Sequence, residues 1–102
     1  LLASTPRQLL LFALMGKKAP RYAHIPLLCD NGGERLAKRH KSLELCALRA
    51  RGVPPAAITG FLAFMAGWLP KPEPARPADI LPLFSLETLR GRELRLPQAL
   101  PF

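Results

Sequence analysis

Cysteine, histidine and acidic residues are what this sequence has least of. Two cysteines and two histidines among 102 residues do not make a recognisable zinc set, so a fold built around metal is excluded and no metal site is expected in the chain. Cys29 in "PLLCD" and Cys46 in "LELCAL" lie in apolar surroundings, where a free thiol is expected to act as a small buried hydrophobe. Unpaired thiols of this kind fit a reducing, cytoplasmic setting. No pair of carboxylates stands in a polar turn, no Ser/His/Asp set has a motif around it, and no glycine-rich phosphate loop runs into a helix. Taken alone, the chain does not read as a self-contained enzyme. The shortage of acid, 7 Asp and Glu against 15 Lys and Arg, leaves a formal net charge of +8, which favours polyanionic partners such as nucleic acid, nucleotides or an anionic surface.

Long hydrophobic runs are missing as well. The uncharged stretch "VPPAAITGFLAFMAGWLP", Val53 to Pro70, is short of the roughly 20 residues a membrane span needs, opens on prolines and contains Gly60 and Gly67. It reads as a core helix, and no membrane partner is expected. In "LLASTPRQLLLFALMG" the apolar run is broken by Pro6, Arg7 and Gln8, so no secretory leader is read there. Without an initiating Met, the chain is expected to be a piece of a longer one.

What remains is a single domain's worth of chain, 49% apolar, with clear punctuation. Thr5, Pro6 and Gln8 form a capping-box pattern that predicts a helix from Pro6 to about Met15, ended by Gly16. Leu9, Leu10, Phe12, Ala13 and Leu14 leave it apolar nearly all round, so deep packing is expected. "RYAHIPLLCDNGGERLA" predicts an extended segment, a turn at Asn31-Gly32-Gly33 and a short return strand, with Pro26 marking an edge or irregular strand. Ser42 is the candidate N-cap of a next helix, with Leu43, Cys46, Ala47 and Ala50 at helical spacing, Arg49 and Arg51 outside and Gly52 at its end. A second helix, Pro55 to Trp68, has the stripe Ile58, Phe61, Leu62 and Met65, and the short loop between the two predicts an αα-hairpin. "PKPEPARP", residues 70–77, is a stiff extended connector. The tail, 78–102, is read as short helices around Ile80 to Phe84 and Ser85 to Arg90, followed by an extended end. The fold class is mainly α with a short β-ribbon.

The densest chemistry lies in "DNGGERLAKRHKS", where Arg35, Lys38, Arg39, His40 and Lys41 fall within seven positions behind a glycine turn. A lysine on such a loop can follow a phosphate and stabilise charge building on a pyrophosphate leaving group, and arginine adds a planar fork for phosphate oxygens. Charge alone leaves a second reading open, a solvated surface or a generic nucleic-acid patch. His24, between Ala23 and Ile25, is likewise either a satisfied structural histidine or a functional one.

Three segments sharpen these alternatives. "STPRQLLL", "YAHIPLLCDNGGERLAKRH" and "LRARGVPPAAITGFLAFMAGW" resemble, in this order and at the expected intervals, the glutamyl-tRNA synthetase-like class I synthetases. In that family an Ala-His-aliphatic-Pro-Leu-aliphatic strand leads through a glycine-containing turn into the K-M-S-K-S signature, often written K-L-S-K-R. The matching residues are Arg35, Leu36, Ala37, Lys38 and Arg39, and a helix pair ending at Gly67-Trp68 follows. Residues 1 to about 69 carry the resemblance, as a signature-loop and stem-contact-like region; the connector 70–77 and tail 78–102 carry it weakly. Arg35 stands where the family has lysine and Ala37 where it has serine.

The resemblance implies ATP-dependent activation of glutamate to glutamyl-adenylate and its transfer to tRNA, with Mg2+ accompanying ATP in the intact enzyme. Lys38 would contact the ATP phosphates, flanked by Arg35 and Arg39. The backbone of Leu27 and Leu28 would lie against the adenine, and His24 at the rim of the nucleotide site. The family's Rossmann half, with its H-I-G-H signature and glutamate-binding residues, is expected upstream of Leu1, so the fragment alone is expected to be inactive. No K-L-x-W-x-N stretch follows the helix pair. That resembles the truncated branch of the family, which attaches glutamate to the queuosine base of tRNA(Asp), more than a full glutamyl-tRNA synthetase. A basic RNA-binding module without catalysis is the alternative from another class.

Overall fold

In a computed structural model the chain is described over residues 2–36 and 44–102. Helix α1, Thr5–Leu14, has proline in its first turn. Helices α2, Leu45–Ala50, and α3, Pro55–Met65, follow beyond the basic segment. All three end alike. At α3 the Gly67 N–H meets the Phe64 carbonyl and the Trp68 N–H the Ala63 carbonyl, both at 2.9 Å, with Gly67 at φ 80°. This pair of bonds satisfies orphan carbonyls and needs a residue that tolerates positive φ. Gly52 closes α2 and Gly16 closes α1 with the same pair.

The α1 expectations are corrected in two respects. A 3-10 turn over Leu2–Ser4 runs straight into the helix, so Ser4 holds helical angles (φ −90°, ψ −15°) and no side chain caps the N-terminus. A capping residue needs an extended backbone to turn its oxygen onto the first amides. Nor is α1 deeply packed: none of its residues is buried, and Leu10 and Leu14 are 59% and 75% exposed. Its apolar surface is continuous, but no described element is laid closely enough on it to exclude water.

In α2 the buried residue is Leu48, while Cys46 and Ala50 are exposed and Ala47 half-buried. The larger aliphatic side chain takes the inward position, because burying leucine gains more than burying alanine or a thiol. The expected buried thiols are therefore not found: Cys46 is exposed and Cys29 half-buried. Glu44, extended at φ −64° and ψ 141°, occupies the N-cap; Ser42 and Leu43 lie outside the described residues. In α3 the inward side is Gly60, Phe61 and Ala63, continued by Ala66, whereas Leu62 is 43% exposed. Trp68, expected inside this helix, lies beyond its glycine cap.

The connector runs extended across α3. The Ala75 N–H donates to the Ala56 carbonyl at 3.0 Å, and the Glu73 carbonyl oxygen occupies the place a Cβ on Gly60 would take. Beyond it come α4, Pro77–Ile80, and 3-10 turns at Leu81–Leu83 and Glu87–Leu89, close to the expected short helices. Asp79 accepts from the Arg76 backbone N–H at 3.0 Å and from its Nε at 3.3 Å. That side-chain hydrogen bond, with the backbone one, holds the Asp79 carboxyl below its ordinary value.

Trp68 fastens this tail to the end of α3. Its indole N–H is shared between the Ser85 carbonyl at 3.0 Å and Thr88 Oγ1 at 2.8 Å, and its ring lies 5.0 Å from that of Phe84. Trp68→Phe keeps an aromatic ring but removes the donor, and is expected to cost about 1–2 kcal/mol. Chemical denaturation followed by circular dichroism is the appropriate measurement, since the variant has no tryptophan left.

The largest departure from expectation is in the β-structure. Among the described residues, strand β1, Leu28–Cys29, meets the return segment through a single antiparallel bridge from Cys29 to Arg35. Its principal partner is β2, Leu94–Arg95, which pairs in parallel, Leu28 with Leu94 and Cys29 with Arg95. The Leu96 N–H extends the pairing to the Cys29 carbonyl at 2.9 Å. The extended end of the tail is thus a strand. The fold is mainly helical with a two-stranded parallel sheet, and its core is Leu48, Phe61, Ala63, Ala66, Ile80, Leu89 and Leu96. Phe102 closes one side, edge-on to Phe61 at 5.6 Å. The radius of gyration, 16.6 Å, exceeds the roughly 13 Å of a self-standing domain of this length.

Candidate nucleotide and phosphate site

The glycine turn is built by a short series of backbone bonds. The Gly33 N–H returns to the Asp30 carbonyl at 3.0 Å, the Asp30 N–H to the Glu34 carbonyl at 2.8 Å, and the Leu36 N–H to the Leu28 carbonyl at 3.2 Å. Asp30 Oδ1 accepts the Glu34 N–H at 2.9 Å, an aspartate completing its own turn. Gly33 stands at φ 85°. The turn reverses the chain and sets Arg35 opposite Cys29.

Of the residues expected to form the site, Leu27, Leu28, Arg35 and Leu36 fall within this one unit. Arg35 is exposed, and among the described residues its guanidinium makes no hydrogen bond or ion pair. Leu28 and Leu36 are half-buried, and Leu27 is 51% exposed. Leu27 and Leu28 also border a cleft of about 590 Å³ that reaches Ala63 and Met65 of α3, Ile80 and Leu94. Ala37, Lys38 and Arg39 lie outside the described residues, as do His40 and Lys41.

His24 is exposed, so it is not the core histidine that its apolar neighbours allow. Its Nε2 lies 3.2 Å from Thr5 Oγ1, and its ring is nearly parallel to that of Tyr22 with centroids 6.3 Å apart. This contact joins the extended segment to the start of α1. Arg49 and Arg51 are exposed, giving α2 the basic outer side expected of it. Among the described residues no group of His, Cys, Asp or Glu is gathered that could hold a metal ion, and no helix is long and apolar enough to cross a membrane.

Arg95 belongs to this unit and was not singled out from the sequence. It pairs with Cys29, and its guanidinium lies over Gly33. A hydrogen bond from Nη2 to Glu93 Oε1 at 2.8 Å, and then the charge of Glu93, raise its pKa above the ordinary arginine value. The sequence signal available was the alternation Leu94-Arg95-Leu96, a period-two pattern in a stretch read only as an extended end.

No protein-family profile matches the chain, and no solved structure matches it. Curated relatives do. A glutamyl-Q tRNA(Asp) synthetase of Nitratidesulfovibrio vulgaris is 55% identical over 97 residues, 95% of this chain and 30% of that protein. One from Symbiobacterium thermophilum is 42% identical over the same shares of both chains. A glutamate–tRNA ligase 2 of Koribacter versatilis is 35% identical over 84% of this chain and 18% of its own length. The chain thus spans about 30% of the length of the glutamyl-Q tRNA(Asp) synthetases it matches. Over nearly all its residues it is related to one segment of those ligases, in line with the expected resemblance to the glutamyl-tRNA synthetase-like class I enzymes.

Proposed function

We propose that this chain is the signature-loop and stem-contact portion of an ATP-dependent ligase that activates glutamate as glutamyl-adenylate and transfers it to the queuosine base of tRNA(Asp). The observation that carries the reading is the 55% identity to a glutamyl-Q tRNA(Asp) synthetase over 95% of the chain. In this reading Lys38 contacts the ATP phosphates, with Arg35 and Arg39 beside it. The backbone at Leu27 and Leu28 lies against the adenine, and His24 borders the nucleotide. In this reading the Rossmann half and the glutamate pocket lie outside this chain, and the isolated 102 residues are inactive; that the chain spans about 30% of the length of the glutamyl-Q tRNA(Asp) synthetases it matches supports it. The protein acts in the cytoplasm.

The test is glutamate-dependent ATP–pyrophosphate exchange by the full-length protein, followed by transfer of labelled glutamate to tRNA(Asp) with and without queuosine. Transfer only to the queuosine-bearing tRNA is the expected result. Charging of tRNA(Glu) instead would favour the second reading, a glutamate–tRNA ligase, which the 35% identity to the Koribacter versatilis protein supports. Exchange by the isolated chain would overturn its assignment as an incomplete part. RNA binding without any exchange by the full-length protein would leave a basic RNA-binding module, for which the +8 charge is the support.

A further inference from the structure

Cys29 stands between two arginines. Arg35 bridges it on one side and Arg95 pairs with it on the other. Residues directly opposite one another across strands share a face of the sheet, so both arginines rise from the same side, each about 4.8 Å from Cys29 in the pairing direction. They are engaged differently. Arg35 has no partner among the described residues, whereas Arg95 is held by Glu93 and covers the turn that presents Arg35. A Cβ on Gly33 would come within 3.3 Å of Arg95 Cζ and 3.4 Å of both terminal nitrogens. The guanidinium therefore rests on a turn residue that has no side chain to push it away.

We infer that Arg95 is a positioning residue: by covering Gly33 it fixes the Asp30–Glu34 turn and so sets where Arg35 offers its guanidinium to the ATP phosphates. This rests on the proposed ATP-dependent ligase reading. A merely structural role is a poor account of the contact. The Arg95 and Glu93 side chains are 52% and 62% exposed, and ion pairs in that setting contribute little to stability. What the contact does fix is direction. Displacing a phosphate-facing group by about an ångström is enough to cost a large factor in rate or affinity.

The test uses the full-length protein with Arg95→Ala and Arg95→Lys, assayed by glutamate-dependent ATP–pyrophosphate exchange and by amide hydrogen exchange. For Arg95→Ala the KM for ATP is expected to rise about tenfold, while the KM for glutamate stays within about twofold and the melting temperature is unchanged. The Gly33 and Glu34 amides are expected to exchange faster. Lysine keeps the charge but has no planar group to lie on glycine, so Arg95→Lys should fall between alanine and wild type. An active wild type with an unchanged KM for ATP in both variants would overturn the inference and leave the proposed function standing. So would a KM shift that comes with a lowered melting temperature and unaltered Gly33 and Glu34 amides. A wild type with no exchange activity would remove the ligase reading, and the inference with it.

Discussion

Replacing Lys38 by alanine in the full-length protein is expected to lower glutamate-dependent ATP–pyrophosphate exchange by about 10²–10³-fold, the range found when one preorganised donor to developing charge is removed. Adenylate formation builds charge on departing pyrophosphate, and an ammonium held against it works most strongly where water is excluded. The expectation rests on the resemblance that makes Lys38 the second signature lysine, three residues after Arg35 in the sequence. Binding of tRNA should survive with little change, because one lysine among 15 basic residues alters the salt dependence by no more than about one counterion. Unchanged exchange would reject the role given to Lys38. Parallel loss of exchange and RNA binding would point to a damaged fold, and Lys38→Arg, which keeps the charge, separates that case.

Gly60→Ala is expected to destabilise the protein by about 2 kcal/mol, against the direction that helix propensity predicts. In an open helix interior, alanine in place of glycine gains about 1 kcal/mol. Here the added methyl would meet the Glu73 carbonyl oxygen and lie 2.9 Å from the Ala75 nitrogen. Both neighbours are backbone and cannot rotate away as a flexible side chain would. Overpacking of this kind costs about 1–3 kcal/mol, and moving the connector also sacrifices the Ala75 to Ala56 hydrogen bond, worth about 1 kcal/mol. The two costs together exceed the propensity gain. Denaturant titration gives the sign, and amide exchange at Ala75 locates the effect. A stabilised Gly60→Ala variant would mean that the connector does not lie on α3.

Where the sequence spoke through local chemistry it was easily read. Pro6 and Gly16 bracket α1, Pro55 and Gly67 bracket α3, and Asn31-Gly32-Gly33 does make a turn. Each depends on one residue's own conformational limits. The misreadings arose where the outcome depends on distant partners. Whether α1 is covered cannot follow from its own apolar residues, since an all-round apolar helix describes a need and not what fills it. The place of Gly60 in α3 likewise depends on a distant partner, the Glu73 carbonyl that rests on it. β2 was hidden because two residues of alternation are too little to declare a strand, and a parallel partner need not be near in sequence. The same distance concealed Arg95. The site residues at 37–39 rest on resemblance, while Leu27, Leu28, Arg35 and Leu36 do gather in one small unit.

The parallel pairing of β1 with β2 also sets an order of assembly. Leu28 and Cys29 leave the ribosome well before Leu94 and Arg95, and at about 5–20 residues per second that interval lasts seconds. Helix α3 can wind locally in far less time, but the strand entering the basic segment must wait for a partner beyond the helices and the proline connector. A nascent chain stalled short of residue 94 would have its helices and the local bonds of the glycine turn, but neither the partner of β1 nor the arginine that covers Gly33. The part of this protein assigned to nucleotide chemistry would then be among the last to take its final form.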